Sequence, residues 1–217
     1  MSVSQSETAV AHAPVAVAPM HDEEWATPAP AGLIALAIAC FCFFAMLTGR
    51  VAPTATPFLA CWLLGGFVVQ FCVGLIELRE KNLTGGNVFL FFSAFFMLTT
   101  ALKYIVAAFL HPNFEGHIDH RVDGWAWLVL ALALLLWTPA YLKRAPKPLA
   151  LLVLFLDVAV PMVALRDLEV VPKSIANPLA GWTLLAGGIL GIYVATAIIN
   201  NGAFGRKVLP MPGPFLK

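Results

Sequence analysis

Asp157 is the side chain with the most chemical consequence, a carboxyl near the middle of the apolar run Leu149 to Leu165. An ionisable group at that depth in a bilayer costs about 2.5 to 3.5 kcal/mol on insertion scales, so it normally faces a partner or a wet cavity. Two readings stand. Asp157 is a proton-accepting carboxylate in a pore, or it forms a structural ion pair with Lys103, the one lysine inside an apolar run. Counting ~1.5 Å per residue along the helices puts Lys103 about 12 Å further out, so pairing needs offset helices and an extended lysine.

Thr27/Pro28 and Asn177/Pro178 each read as a capping residue followed by proline at a helix start. Such a start carries partial positive charge and unpaired N–H groups, a weak site for a carboxylate at each mouth of a pore, or simply an ordinary cap. His111, His117, Asp119 and His120 are ligand-type residues in one polar loop, and two histidines three apart could share a metal. The bland reading is a solvated connector, and no metal or other cofactor is expected. No nucleophile elbow, HExxH or glycine-rich phosphate loop is present, so an enzyme is not expected.

The elements that carry these residues are membrane helices. The chain is 60% hydrophobic and 12% charged, with a mean hydropathy of +0.86. Soluble domains carry about 25% charged residues, so this is an integral membrane protein. With 13 basic against 12 acidic residues there is no basic face for a phosphate backbone, which excludes nucleic acid as a partner. The organising stretch is a hairpin. Phe58 to Leu78 gives about 20 apolar residues, enough to cross ~30 Å of hydrocarbon. Glu77 lies at its end beside Arg79, Glu80 and Lys81, Asn82 to Asn87 supply turn formers, and a second run extends from Val88 to Leu110.

Around this hairpin the chain reads as a disordered tail (1–26), a six-helix transmembrane domain (27–201) and a C-terminal tail (202–217). The first crossing covers Ala31 to Gly49, the fourth Trp125 to Leu142, the fifth Leu149 to Leu165, and the sixth starts at Asn177 and ends near Ile199. Cys40, Cys42, Cys61 and Cys72 all fall within apolar runs and read as small core hydrophobes. Gly187 and Gly191 make a GxxxG step, suited either to internal packing or to oligomer contacts. Loop Lys and Arg residues fall eight (Arg79, Lys81, Lys143, Arg144, Lys147, Arg206, Lys207, Lys217) to four (Arg50, Arg121, Arg166, Lys173). Both termini are therefore expected in the cytoplasm, on a multi-pass protein of the cell membrane.

Several segments together resemble the acetate uptake transporter family, the SatP- and YaaH-like small-carboxylate transporters of microbes. Pro28, Ala29, Pro30, Gly32 and Leu33 fit its NPAPLGL signature, with Thr27 in place of asparagine and Ala31 in place of leucine. Gly66, Gln70, Gly74, Glu77 and Asn82 fit GG…Q…GxxE…N, and Phe89 and Phe95 fit AFxSYGxFW. Ala180, Gly181, Trp182, Tyr193, Asn201 and the run Phe204 to Pro210 are similar to FAGW, IYLA and FGRxVLP.

The resemblance implies an all-α protomer of six helices with its own pore, assembled into a homo-hexamer. It implies transport of acetate or related short carboxylates, succinate and lactate among them, often with a proton. It also implies a hydrophobic constriction, carried here by Leu36, Phe92 and Leu156, where Leu36 replaces a phenylalanine and Phe92 a tyrosine. Gln70, Ser93 and Asp157 are the polar residues expected beside that pore. The reading from another class is a non-transporting membrane subunit that scaffolds a larger complex. Transport requires a pore through each protomer, whereas a scaffold requires a filled one.

Overall fold

The computed structural model describes residues 25–110 and 119–217. A backbone in hydrocarbon must satisfy its own hydrogen bonds, and apolar runs with no polar strand edge do so as helices. The helices are α1 (Ala29–Leu47), α2 (Thr56–Arg79, after a 3₁₀ turn Pro53–Ala55), α3 (Leu83–Phe91), α4 (Thr99–Leu110), α5 (Arg121–Arg144), α6 (Lys147–Asp167) and α7 (Lys173–Phe204). A π-helical segment, Phe92–Leu98, joins α3 to α4 and makes them one span. Among the described residues the result is six helical spans long and apolar enough to cross a membrane.

The spans close into a ring. α1 packs between α2 and α7, α6 packs between α5 and α7, and α3 meets both α2 and α5. Small residues let the helices approach closely: a Cβ on Gly188 would come within 3.0 Å of Cys40 and Phe41, and one on Gly191 within 3.3 Å of the Leu33 carbonyl. The GxxxG step on α7 is thus an internal seam against α1 and α6. Phe58, Trp62, Phe109 and Leu136 point outward, as expected of helices that are apolar all round. Of the four cysteines only Cys40 belongs to the core, since Cys61 and Cys72 face outward and Cys42 is half-buried.

Three expectations are corrected. The third span starts at Leu83 rather than Val88, because Asn82 caps it by accepting from the Gly85 N–H at 3.1 Å. Gly85 and Gly86 are therefore helical, and Gly86 is where α3 approaches Leu78 too closely for a side chain. The sixth span starts four residues before Asn177, after Pro172 in extended backbone, so Asn177 and Pro178 lie inside a helix and form no cap. Arg166 and Asp167 belong to the last turn of α6 rather than to a loop.

The C-terminal tail is tied down by hydrogen bonds to the ends of the helices. Gly205 ends α7 in the left-handed conformation at φ 60°, which suits glycine, and the chain folds back. The Asn201 side chain accepts from the N–H groups of Val208 (2.7 Å) and Leu209 (2.9 Å) and donates to the Leu209 carbonyl (2.9 Å). Tyr193 donates to the Pro210 carbonyl at 2.6 Å, and the Lys147 and Leu216 N–H groups bond Pro212 and Leu142 carbonyls. The expected tail over 1–26 lies outside the described residues except for Trp25 and Ala26; the Trp25 ring sits 4.9 Å beneath the Arg79 guanidinium.

Candidate functional site

The polar cluster at the α2–α3 turn is built from sequence neighbours and one distant residue. Glu77 is only 3% exposed, and its two oxygens are held by separate donors: the Asn82 amide on Oε2 and the Thr27 hydroxyl on Oε1 at 3.2 Å. Thr27 also accepts from the Ala29 N–H at 3.3 Å, so the start of α1 is pinned to the end of α2. Two turns further in, Gln70 donates to the Gly32 carbonyl at 3.2 Å, while its buried Oε1 accepts from no described residue. Tyr141 donates to the Thr84 carbonyl at 3.1 Å.

Thr27, Gln70, Glu77, Asn82 and Tyr141 line a cavity of about 240 Å³, bounded by Leu33, Leu152, Val194 and, from the tail, Met211. A second cavity, about 280 Å³, opens towards the opposite end of the bundle. Aromatic residues Phe43, Phe96, Tyr104 and Trp127 line it, together with Thr56, Lys103, Arg166 and Asn177.

Three side chains line both cavities: Leu36 from α1, Phe92 from the start of the π segment and Leu156 from α6. They are 6%, 3% and 2% exposed, so they form an apolar partition between two partly polar spaces. Aromatic contacts fix the Phe92 ring. It stacks on Phe91 with centroids 4.6 Å apart and meets Phe96 edge-on at 5.7 Å, and Phe96 in turn contacts Phe43 and Trp127. Winding with i→i+5 bonds brings Phe92 and Phe96 towards one face, and such π turns recur at functional sites.

The other expected pore residues are distributed differently. Gln70 lines the Glu77 cavity. Ser93 is fully buried, donates to the Leu90 carbonyl at 2.7 Å, and lines neither cavity. Asp157 lines neither as well. It turns to α5, where the Thr138 hydroxyl lies 2.6 Å from its Oδ2. The pair with Lys103 is not formed, because Lys103 bonds Asp123, in the first turn of α5, at 2.7 Å. Residues one apart on a helix face different directions, so Leu156 reaches the partition and Asp157 the neighbouring helix.

At the Lys103 end, Asp119 pairs with Arg121 at 2.7 Å, which holds its carboxyl well below the usual range, at about 2. His111 and His117 lie outside the described residues, and among those described no metal-type cluster forms. Sequence reasoning missed Arg166, Trp127, Tyr141 and Met211 as cavity residues. Arg166 was legible only as a loop cation. The other three carry no spacing signal, since their placement depends on which helices become neighbours.

The comparisons with known proteins bear on the whole chain. No curated protein sequence matches it significantly. A solved structure described as that of the bacterial acetate channel SatP superposes with a TM-score of 0.75, covering 87% of this chain and 99% of that one at 23% identity, which establishes a shared fold. The family model described as the GPR1/FUN34/yaaH family matches residues 10–213. With nearly the full length matched and the six-span ring in place, this chain belongs to the GPR1/FUN34/yaaH family.

Proposed function

We propose that the protein is a channel or transporter for small carboxylates such as acetate, succinate and lactate, with one pathway in each protomer. The carrying observation is the pair of cavities on opposite sides of Leu36, Phe92 and Leu156. A filled scaffold subunit would have no reason to keep two such spaces in line. The similar fold of a bacterial acetate channel supports the substrate class, and family membership supports assembly, with six protomers as the expected ring.

The protonated acid is the species that passes the partition. An apolar layer resists wetting, and a charged group left unpaired there is costly. Gln70 Oε1, a buried acceptor without a donor among the described residues, suits the O–H of a neutral acid on the far side. No side chain of the three partition residues offers a hydroxyl to an anion. Thr27, Glu77, the α5–α6 turn and the tail share one end of the bundle. The excess of loop lysine and arginine at that end supports a cytoplasmic position for both termini in the cell membrane.

Liposomes carrying the purified protein, given labelled acetate, lactate and succinate at two external pH values, test this reading. Saturable uptake of at least one acid, faster at the lower pH, is the expected result. Uptake no faster than in empty liposomes for all three would overturn it.

A further inference from the structure

We infer that the cavity on the Arg166 side holds a binding subsite for an ionised carboxylate, made by Arg166 with Asn177 and Lys103. The inference rests on the transport reading for its role, but the site itself stands on geometry. The two cavities carry opposite chemistry. The Glu77 cavity is lined by one carboxylate and, among the described residues, no cation. The other is lined by two cations, Lys103 and Arg166, and, among the described residues, by no carboxylate.

Each cation is held from behind by its own carboxylate. Arg166 Nε donates to Asp167 Oδ1 at 2.7 Å, and Lys103 Nζ donates to Asp123 Oδ2 at 2.7 Å, while neither aspartate lines this cavity. A guanidinium has five N–H donors in one plane, and its Nη edge is the part that matches a carboxylate bidentately. With Nε committed to Asp167, Nη1 reaches Asn177 Oδ1 only at 3.4 Å, and Nη2 has no acceptor among the described residues. Asn177 itself lines the cavity, which puts the Nη edge at the cavity wall. Asp167 thus orients the guanidinium by one corner and leaves the fork available. The Asn177 amide, the remaining Lys103 protons and the hydroxyls of Tyr104 and Thr56 supply further donors around the same space.

The ring of Phe43, Phe96 and Trp127 below these donors suits a short alkyl part directed at the partition. The ligand class is therefore a short carboxylate in its anionic form, held at the mouth with its carbon end towards Phe92. A dicarboxylate would present one carboxylate in the same way. Substrate would be collected as the anion on this side and meet no matching cation on the other.

The test is equilibrium binding of labelled acetate and succinate at pH 7 to the full chain in mild detergent, with uptake into liposomes measured in parallel. At that pH such carboxyls are ionised. Arg166→Gln combined with Asp167→Asn removes the pair without leaving a buried carboxylate alone, and Arg166→Lys keeps the charge but not the fork. The double variant is expected to raise Kd and the uptake KM roughly tenfold or more, the loss of a charge-assisted pair, with kcat little changed. The lysine variant should fall between it and the parent. Should the double variant fail to fold, the lysine variant decides. The subsite is overturned if the parent binds neither acid saturably, or if the variants that fold bind with parental Kd. Binding that weakens as stated, in protein that moves neither acid into liposomes, keeps the subsite and removes the transport reading instead.

Discussion

Glu77 and Asn82 hold each other across the turn between α2 and α3: the Asn82 amide donates to Glu77 Oε2, and its carbonyl accepts from the Gly85 N–H at 3.1 Å. A single asparagine therefore satisfies a buried carboxylate and caps a helix. Asn82→Ala removes both functions. The lost cap is worth about 1 kcal/mol and the under-satisfied carboxylate about 1 to 3 kcal/mol more. Thermal unfolding in detergent should show Asn82→Ala clearly less stable than Thr27→Ala, which takes away two long contacts, to Glu77 at 3.2 Å and from the Ala29 N–H at 3.3 Å. Equal effects would mean that the turn is held by something else.

Phe92 belongs to the partition. Phe92→Ala should increase the flux of ionised carboxylates and relax selection by size, at a stability cost of about 3 to 5 kcal/mol for emptying a buried aromatic site. Phe92→Tyr adds a hydroxyl that can hydrogen-bond a carboxylate and should shift preference towards acetate. Parental selectivity in both variants, each assembled normally, would place the constriction elsewhere.

Asp157 lies against Thr138 and away from both cavities. The Thr138 hydroxyl has one proton and two acceptors near it, Asp157 Oδ2 at 2.6 Å and the Leu134 carbonyl at 2.9 Å. Asp157→Asn should therefore leave the pH dependence of uptake unchanged. Thr138→Val leaves the carboxyl without its described partner and should cost about 1 to 3 kcal/mol. A shifted pH profile in the asparagine variant would return Asp157 to the pathway.

Asn201 makes three hydrogen bonds to Val208 and Leu209, and the tail beyond them brings Met211 to the Glu77 cavity. Asn201→Ala should release the tail, which trypsin reports as faster cleavage after Arg206 and Lys207. An unchanged cleavage rate would mean that Tyr193 and the Lys147 contact suffice alone.

Asp119 is an exposed carboxyl held at about 2 by the Arg121 side chain and backbone N–H. A depressed pKa means that the pair contributes above the ordinary aspartate value, about 3.9, and is lost as pH falls towards about 2. Arg121→Gln should move the Asp119 carboxyl back towards its ordinary value, read by carbon NMR titration.

What the sequence determined by itself was the part governed by local physics. Six apolar runs of bilayer length must be helices, and the charged turns at Arg79 to Lys81 and Lys143 to Lys147 mark two of their boundaries. The tight turn from Glu77 to Asn82 lies within five residues, so it was readable as one unit. The motifs resembling the transporter family marked Leu36, Phe92 and Leu156, which the structure brings to the wall shared by two cavities. The tertiary structure decided everything that depends on which spans become neighbours. Asp157 and Lys103 were both ionisable and both within spans, yet each found a nearer partner on α5, in Thr138 and Asp123. Asn177 looked like a cap because proline follows it, but an earlier proline started the helix and turned Asn177 towards Arg166. Helix periodicity gives a residue's direction relative to its own axis only. The rotation and offset of that axis come from close approaches such as Gly188 on Cys40, and those are made only when the whole ring closes.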